Sequence, residues 1–230
     1  MTLTAFLPCR AGSQRVPHKN TRPFAGETEG LLGIKLRQLL ETPEIDLVLL
    51  STNDPLVIEI GERHAASAEG RLRIDRRPDH LCSAATLTDE LITYVPGVIP
   101  SGDVLWTHVT SPFFDGAEYA SAIAAYHAAI AAGTHDSLMG VMALHSFIWN
   151  EAGPLNYDRD VEKWPRTQTL PPLYDVNSSV FIANVEIYRG RQDRIGEKPL
   201  LHIVPKKKTL DVDWEDDFAL AAELWRLRKG

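Results

Sequence analysis

Short apolar runs alternate with stretches of helical period from Leu3 to His145, and this alternation constrains the fold of the chain more than any other feature. Leu3 to Pro8 is a compact apolar run, and Leu31 to Leu40 carries apolar residues at helical spacing. Asp46 opens Leu47-Val-Leu-Leu50, a buried-strand pattern that ends in the polar turn Ser51 to Asp54. Pro55 to Ala66 reads as a helix with Pro55 in its first turn, and Leu72-Arg-Ile74 as a weaker strand. A helix from Thr86 to about Val95, capped by Thr86 or Thr88, precedes a strand over Asp103–Val109 that breaks at Thr110-Ser-Pro-Phe113. Ala117 to Ala132 is an Ala-rich helix closed by Gly133, and Ser137 to His145 is a further strand. This order predicts an α/β chain built on a doubly wound, mostly parallel sheet.

The pattern then changes. Phe147 to about Leu173 is rich in Pro and Trp without helical period, and we read it as an arm inserted in one domain spanning 1–230. Asn177 to Asn184 resumes as a strand, Ile203 to Leu210 is less defined, and Asp213 to Arg228 is a final amphipathic helix. With 24 Lys+Arg against 31 Asp+Glu the formal charge is −7, which speaks against a general nucleic-acid binder. Two cysteines, Cys9 and Cys82, make neither a disulfide framework nor a zinc site by themselves. The N-terminus has no signal-peptide pattern and no run reaches the roughly 20 apolar residues of a membrane span, so a cytoplasmic chain without a membrane partner is expected.

Two clusters carry chemistry. The stretch Cys9-Arg-Ala-Gly-Ser-Gln-Arg-Val-Pro-His-Lys-Asn20 follows the first strand, the turn that in doubly wound sheets commonly takes phosphates. Gly12 and Ser13 let backbone N–H groups approach phosphate oxygens, while Arg10 and Lys19 supply charge. Neither G-x-x-x-x-G-K-[ST] nor G-x-G-x-x-G is present, and on residues alone a phosphate site and a solvated basic turn stand level. Near the other end, Leu210-Asp-Val-Asp213 places two carboxylates on one side of extended backbone, a pair suited to Mg²⁺. Asp213 is also a good N-cap for the last helix, with Glu215, Asp216 and Asp217 in its first turn, and that reading competes.

Five segments, in this order, resemble the acylneuraminate cytidylyltransferases, the CMP-sialic acid synthetases. Leu7-Pro-Cys-Arg-Ala-Gly-Ser-Gln-Arg-Val-Pro-His-Lys-Asn20 is similar to the family's A-R-x-G-S-K-x-x-x-x-K-N, with Cys9 for Ala and Gln14 for Lys. Arg77-Pro-Asp-His-Leu-Cys-Ser-Ala84 resembles R-P-x-x-L-A-x-D with Cys82 for Ala and Ala84 for Asp, and Leu105-Trp-Thr-His-Val-Thr-Ser-Pro112 resembles L-L-Q-P-T-S-P with His108 at the Gln position. Arg166-Thr-Gln-Thr-Leu-Pro-Pro-Leu-Tyr174 with Asn177 resembles R-Q-D-L-P-P-x-Y and N-G-A, its Arg one place early. Asp211-Val-Asp213 falls on the family's D-I-D before the last helix.

The resemblance implies a Rossmann-like nucleotidyltransferase fold with a dimerisation arm, hence a homodimer. The implied reaction joins CTP to a 2-keto-3-deoxy sugar acid, a sialic-acid-like nonulosonate, releasing pyrophosphate. Arg10, Lys19 and Asp211 would be the catalysts. Arg10, Gly12, Ser13, Arg15, Lys19, Asn20, Arg77, Cys82 and Ser83 would bind the nucleotide, Arg15 taking part of the role left by Gln14. His108, Thr110, Ser111, Arg166, Gln168, Tyr174 and Asn177 would meet the sugar, His108 titrating near neutrality, and Asp211 and Asp213 would hold Mg²⁺. Two other readings compete. One is a nucleotide-sugar glycosyltransferase using Asp211-Val-Asp213 as a D-x-D motif, and the other a CTP-binding homologue without turnover. The run Lys206–Lys208 reads as a solvated edge, and the Trp and Tyr residues from Trp149 to Tyr174 as arm packing.

Overall fold

In the computed structural model, which describes residues 2–229, the first apolar run is β1 (Leu3–Pro8). Next come α1 (Gly30–Leu40), β2 (Leu47–Thr52), α2 (Pro55–Ala65), β3 (Leu72–Arg76) and α3 (Thr88–Val98). The chain goes on through β4 (Asp103–Trp106), α4 (Gly116–Ala131) and β5 (Ser137–Leu144). A hairpin of β6 (Trp149–Asn150) and β7 (Gly153–Pro154) belongs to the arm, and β8 (Leu173–Asn184), α5 (Val185–Arg191), β9 (Pro199–Ile203) and α6 (Glu215–Lys229) close the chain.

Seven strands form one sheet in the order β3-β2-β1-β4-β8-β5-β9. β3, β2, β1 and β4 are parallel, β8 runs antiparallel to both β4 and β5, and β9 is parallel to β5. The period of two in β1 sends Leu3, Ala5 and Leu7 to one face and Phe6 to the other. The first face packs on α1, α2, α4 and α6 through Ile34, Val57, Tyr119 and Trp225, and the second on α3 and α5 through Val95 and Tyr188. Both faces are therefore covered, as a parallel sheet requires. After β1 the chain builds β2 and β3 on one side and then crosses to β4 on the other. The crevice between the ends of β1 and β4 is thus the topological switch point where such sheets bind ligands.

Several sequence expectations shift. Ser51 and Thr52 are buried strand residues of β2 rather than part of a turn. The strand at β4 stops at Trp106, which leaves His108, Val109 and Thr110 to line the crevice. The start of α3 is capped by neither Thr86 nor Thr88: Glu90 reaches back to accept the Leu87 N–H at 2.7 Å. α5 is an additional helix, and β9 ends at Ile203, where the less defined stretch was expected to begin. Lys208 is not a solvated edge residue, since its ammonium pairs with Asp115 and Glu118, both at 2.8 Å. Among the described residues no helix is long and apolar enough to cross a membrane.

The arm joins the adjacent antiparallel strands β5 and β8, so its two roots lie side by side. Buried Asn156 ties them, donating to Ser146 O at 2.9 Å and Pro171 O at 3.4 Å and accepting from Ile148 N–H at 3.2 Å. Phe147, Trp149, Tyr157 and Trp164 pack on one another, and the Arg159 guanidinium lies 5.2 and 5.3 Å from the rings of Trp149 and Trp164.

Candidate active site

Three adjoining cavities open at the switch point, and Arg10 lines all of them. The main cleft, of about 440 Å³, runs from Pro8 and the loop residues Ser13, Gln14 and Arg15 to His108 and Thr110 beyond β4. A recess of about 170 Å³ follows Gly12, Ser13, Lys19 and Asn20, and another of about 180 Å³ reaches Arg77, Leu81 and Thr88.

The basic loop is held by its own backbone and by β2's end. Ala11 N–H donates to Asn53 Oδ1 at 3.1 Å, and Asn20 Nδ2 donates to Arg10 O at 3.3 Å. Gly12 has φ +71° with open space where a Cβ would sit, so its backbone conformation, not crowding, calls for glycine. His18 takes a similar φ of 53° with a side chain attached, which costs about 1–2 kcal/mol.

Residues almost two hundred positions away close the site. Lys19 Nζ donates to Val212 O at 2.8 Å and lies 3.4 Å from Asp213 Oδ1, while Arg15 Nη2 donates to the same oxygen at 2.8 Å. Val212 N–H donates to Thr110 O at 2.8 Å, stitching the acidic stretch to the end of β4. Arg22, the last loop cation, turns away to Glu215 at 2.8 and 3.1 Å and covers the Phe218 ring. The Asp213 side chain thus faces the basic loop. The backbone N–H groups of Asp213 and Trp214 are instead accepted by Asp217, at 3.1 and 2.8 Å, so the capping carboxylate is not Asp213's.

Asp211 differs from its neighbour. Its Oδ1 is buried without a hydrogen-bond partner among the described residues. Burial raises its pKa, helped by the charge of Asp213 and opposed by the Thr110 hydroxyl and Lys19. A buried carboxylate oxygen that lacks a donor fits a hard cation. Among the described residues no three His, Cys, Asp or Glu side chains gather as a metal cage. Mg²⁺ suits such a site, because it usually takes one or two carboxylates and completes its shell with phosphate and water oxygens.

His108 lines both the main cleft and the Arg77 recess. The Trp106 indole N–H donates to its Nε2 at 2.9 Å, which leaves the proton of the neutral ring on Nδ1. Its pKa is pushed down to about 3, first by burial and then by the charges of Arg194, Lys19 and Lys35. The depressed pKa moves the titration expected near neutrality into the acid range, and the neutral ring offers Nδ1–H as a hydrogen-bond donor.

Of the residues expected to bind the nucleotide, Arg77 is buried and its Nε donates to Cys82 Sγ at 3.1 Å, with Cys82 also buried. Ser83 is exposed and shares a hydrogen bond with Thr86 at 2.9 Å. The expected sugar residues divide. His108 and Thr110 are in the cleft. Ser111 is buried, and Asn177 is buried with its amide engaged by Thr209 O at 3.1 Å and Ser179 N–H at 2.8 Å. Arg166, Gln168 and Tyr174 are exposed at the arm's root and line none of the three cavities.

Three supporting residues escaped the sequence reading. Asn53 pins the basic loop, and Arg194 lies over Trp106, its charge reaching His108. Lys35 is fully buried and donates to Ser111 O, Phe114 O and Tyr119 Oη, each at 2.9 Å, fixing the turn after β4. Only Lys35 left a signal, a cation inside the apolar stripe of Leu31 to Leu40.

The family model described as "Cytidylyltransferase" matches residues 4–88. An N-acylneuraminate cytidylyltransferase of Streptococcus agalactiae serotype III (strain NEM316) is 25% identical over 222 residues, 93% of this chain and 51% of that protein. A CMP-N,N'-diacetyllegionaminic acid synthase of Legionella pneumophila is 24% identical over 237 residues, 100% of this chain and 98% of its own. The chain is a relative of the cytidylyltransferases. It spans about half the length of the streptococcal protein. Among solved structures, a CMP:2-keto-3-deoxy-manno-octonic acid synthetase complexed with CTP superposes with TM-score 0.65 at 12% identity, over 99% of this chain and 100% of that one. A 4-diphosphocytidyl-2C-methyl-D-erythritol synthase from Anaerococcus prevotii gives the same TM-score at 14% identity, over 98% and 96%. Both share the fold. In this cytidylyltransferase relative the matched segment holds β1, the basic loop, Arg77 and Cys82, whereas His108, the arm and the acid pair lie beyond it.

Proposed function

We propose that the chain transfers a cytidylyl group from CTP to a 2-keto-3-deoxy sugar acid of the sialic-acid kind, releasing pyrophosphate. The observation that carries this reading is the meeting of Arg15 and Lys19 with Asp213, beside Asp211, at the mouth of the switch-point cleft. The relatives' names supply the nucleotide and the acceptor class.

The anomeric hydroxyl of the acceptor attacks the α-phosphorus in line as the bond to the β-phosphate oxygen breaks. Such a transfer asks for positioning and charge neutralisation. Arg10, with the backbone of Gly12 and Ser13, holds the phosphates, and Lys19 places its charge between phosphates and acid pair. Arg77 borders the recess assigned to the base. Asp211 and Asp213 would hold Mg²⁺, whose chemistry is neutralisation of phosphate charge. Thr110 and Lys35 keep the wall opposite in place. No cleft side chain among the described residues is poised as a base, since His108 Nε2 is already used by Trp106.

The arm is proposed to join two copies through its exposed Trp149, Leu155, Val161 and Trp164, giving a homodimer. A cytoplasmic location is proposed with it. Pyrophosphate release from CTP with N-acetylneuraminate, legionaminate, pseudaminate and an eight-carbon 2-keto acid tests the reaction. Release with one of them supports it, CTP binding without release from any supports a non-catalytic homologue, and turnover of a sugar nucleotide with an acceptor glycan supports a glycosyltransferase.

A further inference from the structure

The loop between α5 and β9 carries a guanidinium that no carboxylate of the chain meets directly, although the charge of Asp193 acts on it. Arg194 lies 3.7 Å from the Phe181 ring centroid and 5.4 Å from that of Trp106, two residues paired across β4 and β8. Among the described residues its side chain makes no hydrogen bond and no ion pair. The neighbouring Asp193 accepts only its backbone N–H, at 2.7 Å. Burial lowers the pKa of Arg194, partly opposed by the charge of Asp193, yet guanidinium does not lose its proton in proteins, so the charge stays half-buried with none of its N–H groups hydrogen-bonded to the chain. The aromatic faces beneath it repay only part of that cost.

A second unmet donor lies beside it. Trp106 occupies Nε2 of His108, leaving Nδ1–H without an acceptor in a ring that lines the main cleft. Arg194 is close enough to be the largest of the three charges acting on that ring. A fixed cation and a fixed neutral donor, both against Trp106 and neither hydrogen-bonded to an acceptor of the chain, suit one oxyanion. Arg166, the cation first expected to serve the acceptor's carboxylate, is exposed at the arm instead.

We propose that Arg194 and His108 Nδ1–H bind the carboxylate of the incoming sugar acid and determine that this acceptor must be an acid. This rests on the reaction proposed above. The mirror-side cations Arg10, Arg15 and Lys19 are left to the triphosphate.

The test is Arg194→Met, which keeps a stem over Phe181 and removes the fork. With N-acetylneuraminate as acceptor, its KM rises about 10–100-fold, the loss of a charge-assisted hydrogen bond, while the KM for CTP is unchanged. Arg194→Lys, which keeps the charge without the planar fork, falls between and serves if the Met variant does not fold. The wild type rejects the sugar's carboxamide, and Arg194→Met treats acid and amide alike. An unchanged acceptor KM, or an equal loss for CTP, overturns the assignment. Independently of turnover, the Trp106 indole N–H signal in NMR, assigned with Trp106→Phe, shifts on adding N-acetylneuraminate to the wild type and not to Arg194→Met. Turnover without any effect of Arg194 removes the subsite and keeps the reaction. An Arg194-dependent shift without turnover keeps the subsite and removes the reaction. Neither shift nor turnover removes both.

Discussion

On the nucleotide side of the cleft, Arg10 to Asn20 is one continuous loop, fixed by its own backbone and by Asn53 at the end of the next strand. On the side proposed for the acceptor, His108 and Arg194 come from segments far apart in sequence, and Trp106 joins them. In the proposed reaction the loop side would meet a group that is always the same, a triphosphate, for which backbone N–H groups with a few cations suffice. The opposite side would have to distinguish sugars, through side chains brought together by tertiary packing. Asp213 meets the loop cations, and Asp211 lies beside it.

The comparison is tested most severely at that junction. Asp211→Asn is expected to lower kcat about 1000-fold, equivalent to about 4 kcal/mol in the barrier, by steady-state pyrophosphate release. The fold should survive and gain slightly at neutral pH. The Asp211 pKa is raised on folding, so the folded chain holds the proton more firmly than the unfolded one. Stability contributed by this carboxyl is therefore lost as pH rises through the carboxylate range, and the amide removes that loss. A lowered melting temperature at pH 7 would mark Asp211 as a structural group instead.

Next in size, Lys19→Ala should weaken CTP binding about 10–100-fold in calorimetry and leave acceptor binding within a few-fold. The reverse order would erase the distinction between the sides. A smaller effect is expected from replacing residues 148–169 by a short turn, which the adjacent roots at Ser146 and Pro171 permit. Light scattering should then find monomers, with CTP affinity retained. A persistent dimer would take the arm out of assembly.

Smallest of all is the response of His108 to pH. Because its folded pKa lies at about 3, NMR should find a neutral ring with its proton on Nδ1 down to about pH 5, and kcat/KM should show no His108 ionisation near pH 6.5. Folding lowers this pKa, so the unfolded chain takes up the proton first as pH falls. Stability therefore declines from about pH 6.5 downward. A charged His108 at pH 6 would make the acceptor side titratable and break the donor assignment.

Much of the nucleotide side was legible in the residue order. β1 is bounded as its apolar run predicts, and the cations of the next turn line the cleft because a loop after a parallel strand has nowhere else to go. The acceptor side was legible only in part. His108 and Thr110 follow directly from a strand end, and both reach the cleft. Asn177 was read as a ligand residue, but its amide is engaged within the chain, linking β8 to the segment that carries Asp211. Arg194 has no local pattern at all, since its meaning comes from Trp106 and Phe181 across the sheet. Asp213 allowed two readings in sequence, and only the folded distance to Arg15 and Lys19 separates them.

The central claim is that the loop after β1 and the acid pair before α6 form one cytidylyl-transfer site. Its most direct measurement is pyrophosphate release from CTP with each 2-keto sugar acid in turn, with Mg²⁺ and with the metal chelated. Release is expected to require CTP, one of the acids and the metal together. Release from CTP without an acid, release unaffected by chelation, or no release with any acid would contradict it.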